Sequence, residues 1–211
     1  MKIIDLSLPV TEKKGREGFS AALVEKIIFS NGVQYTGIMY DLVLGSMAGT
    51  YIDFPGHIKE TDDGFDALNY PIEKLYRIES AVIHLDRKSN SGAVNSDDLK
   101  NACGKNKISE KALIINALGK KRFNEVDERS VYLSSDAVRW IVESGIHLLV
   151  SDIYESKEIH GVFYDLFKAG ISTVCCPVNL HLLDSPRCML SVFAPPLKGI
   201  TQLPCRAVAE C

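Results

Sequence analysis

Residues 47–57 read Met47-Ala-Gly-Thr-Tyr-Ile-Asp-Phe-Pro-Gly-His57, and the chemistry of the 211-residue chain concentrates there. In an extended segment side chains two apart share a face, so Tyr51, Asp53, Pro55 and His57 would point the same way if the segment stays extended. Pro55 fixes its own φ and restricts Phe54 to extended conformations, which stiffens the presentation. A phenol, a carboxylate and an imidazole on one face can do acid–base work or contribute to a metal site. Spacing alone also fits polar groups that simply hydrogen-bond within a loop.

Outward from this stretch, Gly45 to Phe65 is too rich in Gly, Asp and Pro for a long regular element. Before it, Lys2 to Leu8 alternates as a strand closed by Pro9, and Leu23 to Phe29 and Ile38 to Leu44 are strands flanking an Asn31-Gly32 turn. After it, Arg77 to Leu85 is a strand, Ser96-Asp97-Asp98 caps a short helix ending near Gly104, and Ala112 to Ala117 is a buried strand. Ser134-Ser135-Asp136 opens a helix with Ala137, Trp140, Ile141 and Ser144 on one face, stopped by Gly145. Ile146 to Asp152 is an apolar strand ending in a carboxylate. A helix from about Ile159 to Lys168 precedes strands at Ile171 to Cys176, Met189 to Phe193 and Arg206 to Ala209. Strand–helix alternation in the second half predicts an α/β fold. Strands crowded into the first half predict a mixed or partly barrel-like sheet.

Length supports a single domain over 1–211 with a core that needs no staples. With 24 Lys and Arg against 27 Asp and Glu, the net charge is −3. The densest basic run is Lys120-Lys121-Arg122, a solvated turn, so neither nucleic acid nor a membrane surface is an expected partner. MKIIDLSLPV lacks an apolar signal-peptide core, and no window reaches transmembrane length, so a cytoplasmic protein is expected. The six cysteines (Cys103, Cys175, Cys176, Cys188, Cys205 and Cys211) include no C-x-x-C pair and are expected to be reduced, mostly as small core residues.

The 47–57 stretch resembles the H-x-G-T-H-x-D-x-P-x-H signature of the cyclase family that contains bacterial kynurenine formamidase and isatin hydrolase. Gly49, Thr50, Asp53, Pro55 and His57 match it without a gap. IIDLSLPV is similar to the family's first strand, YLSSDAVRWIVESGIHLLVSD to its helix and strand ending in Asp152, GISTVCCPVNLHLL to a late strand with Asn179-Leu180 in register, and APPLKGITQLPCRAVAEC to its closing segment. The resemblance implies a swivelling β/β/α fold with flanking helices and a homodimer or higher homo-oligomer. It also implies a small carbonyl-containing organic substrate.

The departures fall on the family's metal ligands. The first two motif histidines are replaced by Met47 and Tyr51. By register from Asn179-Leu180, the distal Glu falls on Cys175 and the distal His on Phe163, with His160 one helical turn away. Asp53 and His57 remain, whereas a catalytic zinc site takes three protein ligands and an open position. The expectation is therefore no metal, with Tyr51, Asp53 and His57 catalytic and Met47, Thr50, Phe163 and Cys175 lining the substrate site. His57 would be the acid or base, oriented by Asp53, and Tyr51 would donate to a carbonyl or enolate oxygen. That set suits cyclisation, dehydration, isomerisation or hydrolysis. Two alternatives are an amide or lactone hydrolase with zinc or manganese at Asp53, His57 and Cys175 or His160, and a non-catalytic small-molecule binder. His84 and His147 are expected to be structural, as is His181, which could nevertheless approach the site. Arg206 is expected to tie the last strand. Asp152 reads equally as a cap or as a site residue at a strand end.

Overall fold

The computed structural model describes residues 2–104, 108–158 and 160–211. In chain order the strands are β1 (Ile3–Asp5), β2 (Phe19–Ser30), β3 (Val33–Leu44), β4 (Tyr51–Asp53), β5 (Ile78–His84), β6 (Gly92–Val94), β7 (Ala112–Asn116), β8 (Val131–Leu133), β9 (Leu148–Ser151), β10 (Ser172–Cys175), β11 (Arg187–Phe193), β12 (Gln202–Pro204) and β13 (Arg206–Glu210). The helices are α1 (Ser96–Cys103), α2 (Ser135–Glu143) and α3 (Val162–Lys168). Nine strands form one mixed, curled sheet in the order β1-β13-β11-β5-β7-β9-β10-β4-β12. The run β5, β7, β9, β10 is parallel and both flanks are antiparallel.

A sheet covered on both faces reads as continuous apolar sequence. β7 shows this, because all five of its residues are buried. Leu113 and Ile115 join Leu99, Ala137, Val138, Ile141 and Leu166 of the helices in one core. Ala112 and Ile114 join Ile4, Leu6, Phe54, Leu148 and Leu190 in a second core on the opposite face. The mixed α/β sheet with flanking helices is as expected from the alternation of elements.

Local chemistry sets the boundaries that differ from expectation. Asn95, not the Ser96 run, caps α1: its side chain accepts from the Asp97 and Asp98 amides while Asp98 reaches back to the Asn95 amide. The third helix begins at Val162 after Gly161, which has φ 108°; Ile159 lies outside the described residues. The hairpin strands are longer than the apolar runs that mark them, because residues 19–22 and 33–37 also join the ladder, which turns at Asn31 (φ 51°) and Gly32 (φ 77°). Both φ values are positive, as a two-residue hairpin turn requires.

The largest departure lies inside the motif. The extended segment ends at Asp53, and Pro55–His57 is a short turn in which the His57 amide donates to the Phe54 carbonyl at 2.9 Å. Pro55 keeps Phe54 extended (φ −92°, ψ 159°), while its own fixed φ suits the first residue of a helical turn. One shared face for Tyr51, Asp53, Pro55 and His57 therefore does not form. Tyr51 and Asp53 share a strand face, and His57 is delivered by the turn.

Candidate functional site

Strand β4 lies between β10 and β12, with Tyr51 opposite Cys175 and Pro204, and Asp53 opposite Thr173 and Gln202. Ile52, Val174 and Leu203 point the other way, into the second core, which leaves Tyr51, Asp53 and Cys175 together on the helix-covered side. Asp53 is only 3% exposed. The Cys175 thiol donates to its Oδ2 at 3.7 Å, and Oδ1 has no hydrogen-bond partner. Burial raises the Asp53 carboxyl to about 6, against the opposing pull of nearby His57 and of hydrogen bonds from Gln202 and Cys175. Burial also raises the Tyr51 phenol, reinforced by Cys175, Cys176 and Asp53, so at neutral pH Tyr51 is a proton donor.

His57 approaches the carboxylate from the solvent side and is exposed. Its ring meets Phe167 edge-on at 6.5 Å, and its Nε2 lies 3.1 Å from Gln202 Nε2. Gln202 Oε1 accepts from the Ser46 hydroxyl at 2.7 Å, which turns the amide NH₂ toward the imidazole. When the ring is neutral, Nε2 is the acceptor in that network and Nδ1 carries the proton. Gln202 thus links Asp53 and His57. Neither it nor Ser46 stands out in the sequence, because their roles arise only when β12 pairs with β4.

Met47, Tyr51, Phe163 and Cys175, the four positions where the chain departs from the ligand set that the resemblance implies, all line one cavity of about 250 Å³. Leu118, Phe123, Val126, Ile153, Tyr154 and Cys176 complete its apolar wall, and Asp152 and Glu155 add carboxylates. Tyr154 stacks on Phe163 with centroids 4.8 Å apart and donates its hydroxyl to the Val174 carbonyl at 2.9 Å. Cys176 has φ 54° although Pro177 follows, and burial pushes its thiol up to about 12. Neither Cys176 nor Tyr154 stands out in the sequence. Cys176 is held by Thr50, whose hydroxyl donates to the Cys176 carbonyl at 2.8 Å and accepts from the Leu8 amide at 2.7 Å. Thr50 is buried and spent on the backbone, and it does not line the cavity.

The remaining candidates divide cleanly. Asp152 fills both of its readings: it accepts from the Ala117 and Leu118 amides and also lines the cavity, with burial raising its carboxyl to about 6. His160 is exposed, 3.7 Å from Glu155. His84 Nε2 meets the Leu183 carbonyl at 2.6 Å and His147 Nε2 the Lys74 carbonyl at 3.1 Å, so both serve the scaffold. His181 lines a different, polar cavity with Lys120, Lys121 and Arg122, which shares only Asp152 with the first. Arg206 clamps Asp5 across the sheet, as expected of a residue tying the last strand.

Gly49 has φ 69°, and a Cβ there would lie 2.5 Å from the Leu8 carbonyl oxygen and 2.9 Å from Val10 Cγ2. Gly49→Ala is expected to cost roughly 2–4 kcal/mol, because strain and a backbone clash add where Thr50 anchors the site. Urea unfolding of the two proteins measures it; a change below about 1 kcal/mol would show that the loop yields freely.

The family signature implies a metal, and the donors present do not fit one. Among the described residues no group of three or more His, Cys, Asp or Glu side chains converges as a metal site. Asp53 and Cys175 are in contact, while His57 is engaged by Gln202.

The sequence model of the Cyclase family matches residues 4–156. The chain belongs to the Cyclase family. No curated protein matches this cyclase-family chain in sequence. Its fold is shared with an isatin hydrolase solved with the product analogue thioisatinate, at TM-score 0.75 and 16% identity over 99% of this chain and 91% of that one. It is likewise shared with isatin hydrolase A from Ralstonia solanacearum, at TM-score 0.72 and 14% identity over 99% and 91%. A third neighbour, described as a predicted metal-dependent hydrolase from Bacillus stearothermophilus, gives TM-score 0.67 and 20% identity over 99% and 97%. Among the described residues no helix is long and apolar enough to cross a membrane.

Proposed function

We propose that this cyclase-family chain is an enzyme that binds a small carbonyl compound in the Tyr51 cavity and acts on it by metal-independent proton transfer. The carrying observation is that Met47, Tyr51, Phe163 and Cys175 line an open cavity and do not pack it shut. Its volume of about 250 Å³ suits a single small ring system, smaller than most drug-sized ligands. In this reading Tyr51 donates to the substrate oxygen. Asp53, near 6 and so close to the ideal for both acid and base, exchanges a proton with the substrate through the Cys175 thiol that already donates to it. His57 is a positioning residue that lowers the Asp53 carboxyl and fixes Gln202. Without a metal to generate hydroxide at neutral pH, ring closure, dehydration or isomerisation is better supported than amide hydrolysis.

Isatin, the compound in the neighbours' names, is a suitable binding probe because it is small, planar and carries two carbonyls. Tyr51→Phe is expected to weaken isatin binding about tenfold, the worth of one good hydrogen bond. Equal affinities in calorimetric titrations of the two proteins would remove Tyr51 from the site. A second reading, a non-catalytic binder, is favoured by one observation: Asp53 does not itself line the cavity. The two separate on a panel of small ketones and lactones, since the enzyme turns one over and loses that turnover in Asp53→Asn, whereas the binder turns over none.

We also propose a homodimer formed through the β2–β3 hairpin. This hairpin is a separate two-stranded sheet, and it exposes apolar side chains on both faces, among them Leu23, Ile38, Tyr40 and Leu42 on one and Tyr35, Met39 and Val43 on the other. An isolated hairpin is marginal in water, and an apolar patch this large calls for a partner surface.

A further inference from the structure

Two thiols far from the cavity face each other across the sheet. The β11–β13 register pairs Met189 with Glu210, which sets Cys188 opposite Cys211 one step further along. The Cys211 amide donates to the Lys2 carbonyl at 2.9 Å and the Lys2 amide donates to the Cys211 carbonyl at 2.7 Å. The backbone polar groups of Cys211 therefore point toward β1 and away from β11. In an antiparallel ladder this makes Cys188 and Cys211 a non-hydrogen-bonded pair, the type whose Cα atoms approach to about 4.5 Å and whose side chains lie closest. That separation falls within the range a disulfide spans. The two side chains are in hydrogen-bonding contact, and both pack on the same core face.

Access completes the arrangement. Cys188 is buried, at 5% exposed, while Cys211 is partly exposed, and both line a cavity of about 340 Å³. Glu79, Glu110 and Glu210 line that cavity together with Arg187, which is paired with Glu110 at 2.5 Å. Glu210 is likewise paired, with Arg77, and Glu79 leaves the rim with a net negative charge that favours a cationic reagent over an anionic one.

We propose that Cys188 and Cys211 form a dithiol modification site that a low-molecular-weight disulfide, preferably a cationic one, oxidises to a cross-strand disulfide. Cys211, the accessible thiol, loses its proton and attacks one sulfur of the reagent, whose S–S bond breaks to release one thiolate. Cys188 then loses its proton and attacks Cys211 Sγ, expelling the second thiolate. The two protons end on the two released thiols, so the protein loses two electrons and two protons and the reagent gains them. The new bond closes a loop of roughly 20 residues and ties β13 to β11.

The test is to incubate the folded, full-length protein with cystamine and follow intact mass, peptide maps and melting temperature. The expected product has lost two hydrogens and carries no adduct. It yields one linked peptide pair containing Cys188 and Cys211, and it melts roughly 5 °C higher than the reduced protein. Cys211→Ser should abolish the linkage, and cystamine should act at least several-fold faster than oxidised glutathione. A persistent cystamine adduct on Cys211 with Cys188 still open to alkylation would overturn the proposal. So would linkage of a different cysteine pair.

Discussion

The Asp53→Asn protein is expected to be more stable than the wild type at pH 7 and to have lost its activity. Burial raises the folded-state carboxyl to about 6, whereas an unfolded Asp titrates near 3.9. Between these values the folded state binds more protons than the unfolded state, so stability falls as pH rises through this window. Below about pH 3 both states are protonated and the group costs nothing; well above about pH 6 the full cost, about 3 kcal/mol, is present. The asparagine protein carries no such cost. Its advantage should therefore grow from near zero at about pH 3 to about 3 kcal/mol at pH 7, read as a difference in urea unfolding. Turnover should fall by roughly 10²–10⁴, the usual contribution of a positioned acid or base. A variant less stable than the wild type at pH 7 would mean that the carboxylate is stabilised, by a metal or another cation, in the working protein. Asp152, also near 6, acts in the same direction, so the comparison is between the two proteins and not within one.

Charge placed on the hairpin should dissociate the proposed dimer. Leu23 lies directly opposite Tyr40, and both are more than half exposed. Leu23→Lys with Tyr40→Lys sets two like charges in an apolar patch, where each would have to be desolvated in an interface. The expected result is a dissociation constant raised at least about 10³-fold, so that the variant sediments as a monomer where the wild type is a dimer. The nine-stranded sheet and its cores should be untouched, because the hairpin pairs with none of its strands. A wild type that stays monomeric at about 100 μM, or a variant that dimerises equally well, would contradict the assignment.

The positions of the longer strands and of the helices, the buried β7 and the chemistry of the Asn31-Gly32 turn were legible because each depends on neighbouring residues. The link to the cyclase family was carried by Gly49, Thr50, Asp53, Pro55 and His57. Thr50 illustrates the limit: its place in the motif suggested a lining role, yet its hydroxyl is consumed by the backbone of Leu8 and Cys176. His57 illustrates another, since one proline converts an extended presentation into a turn. Gln202 and Cys176 were invisible because each acquires its role through partners far away in sequence, His57 and Thr50 respectively. Short strands such as β6, β8 and β12 have only three residues each and exist by virtue of their pairing. Propensity has little to act on at that length.

On the proposed reading Asp53 is a buried, titrating acid–base group beside the cavity and does not serve as a metal ligand. A ¹³C NMR titration of its carboxyl, run with and without one equivalent of zinc, tests this without knowledge of the substrate. The prediction is a midpoint near 6 that zinc leaves unmoved. A metal ligand must be deprotonated, so a midpoint driven below about 4 by stoichiometric zinc would contradict the account.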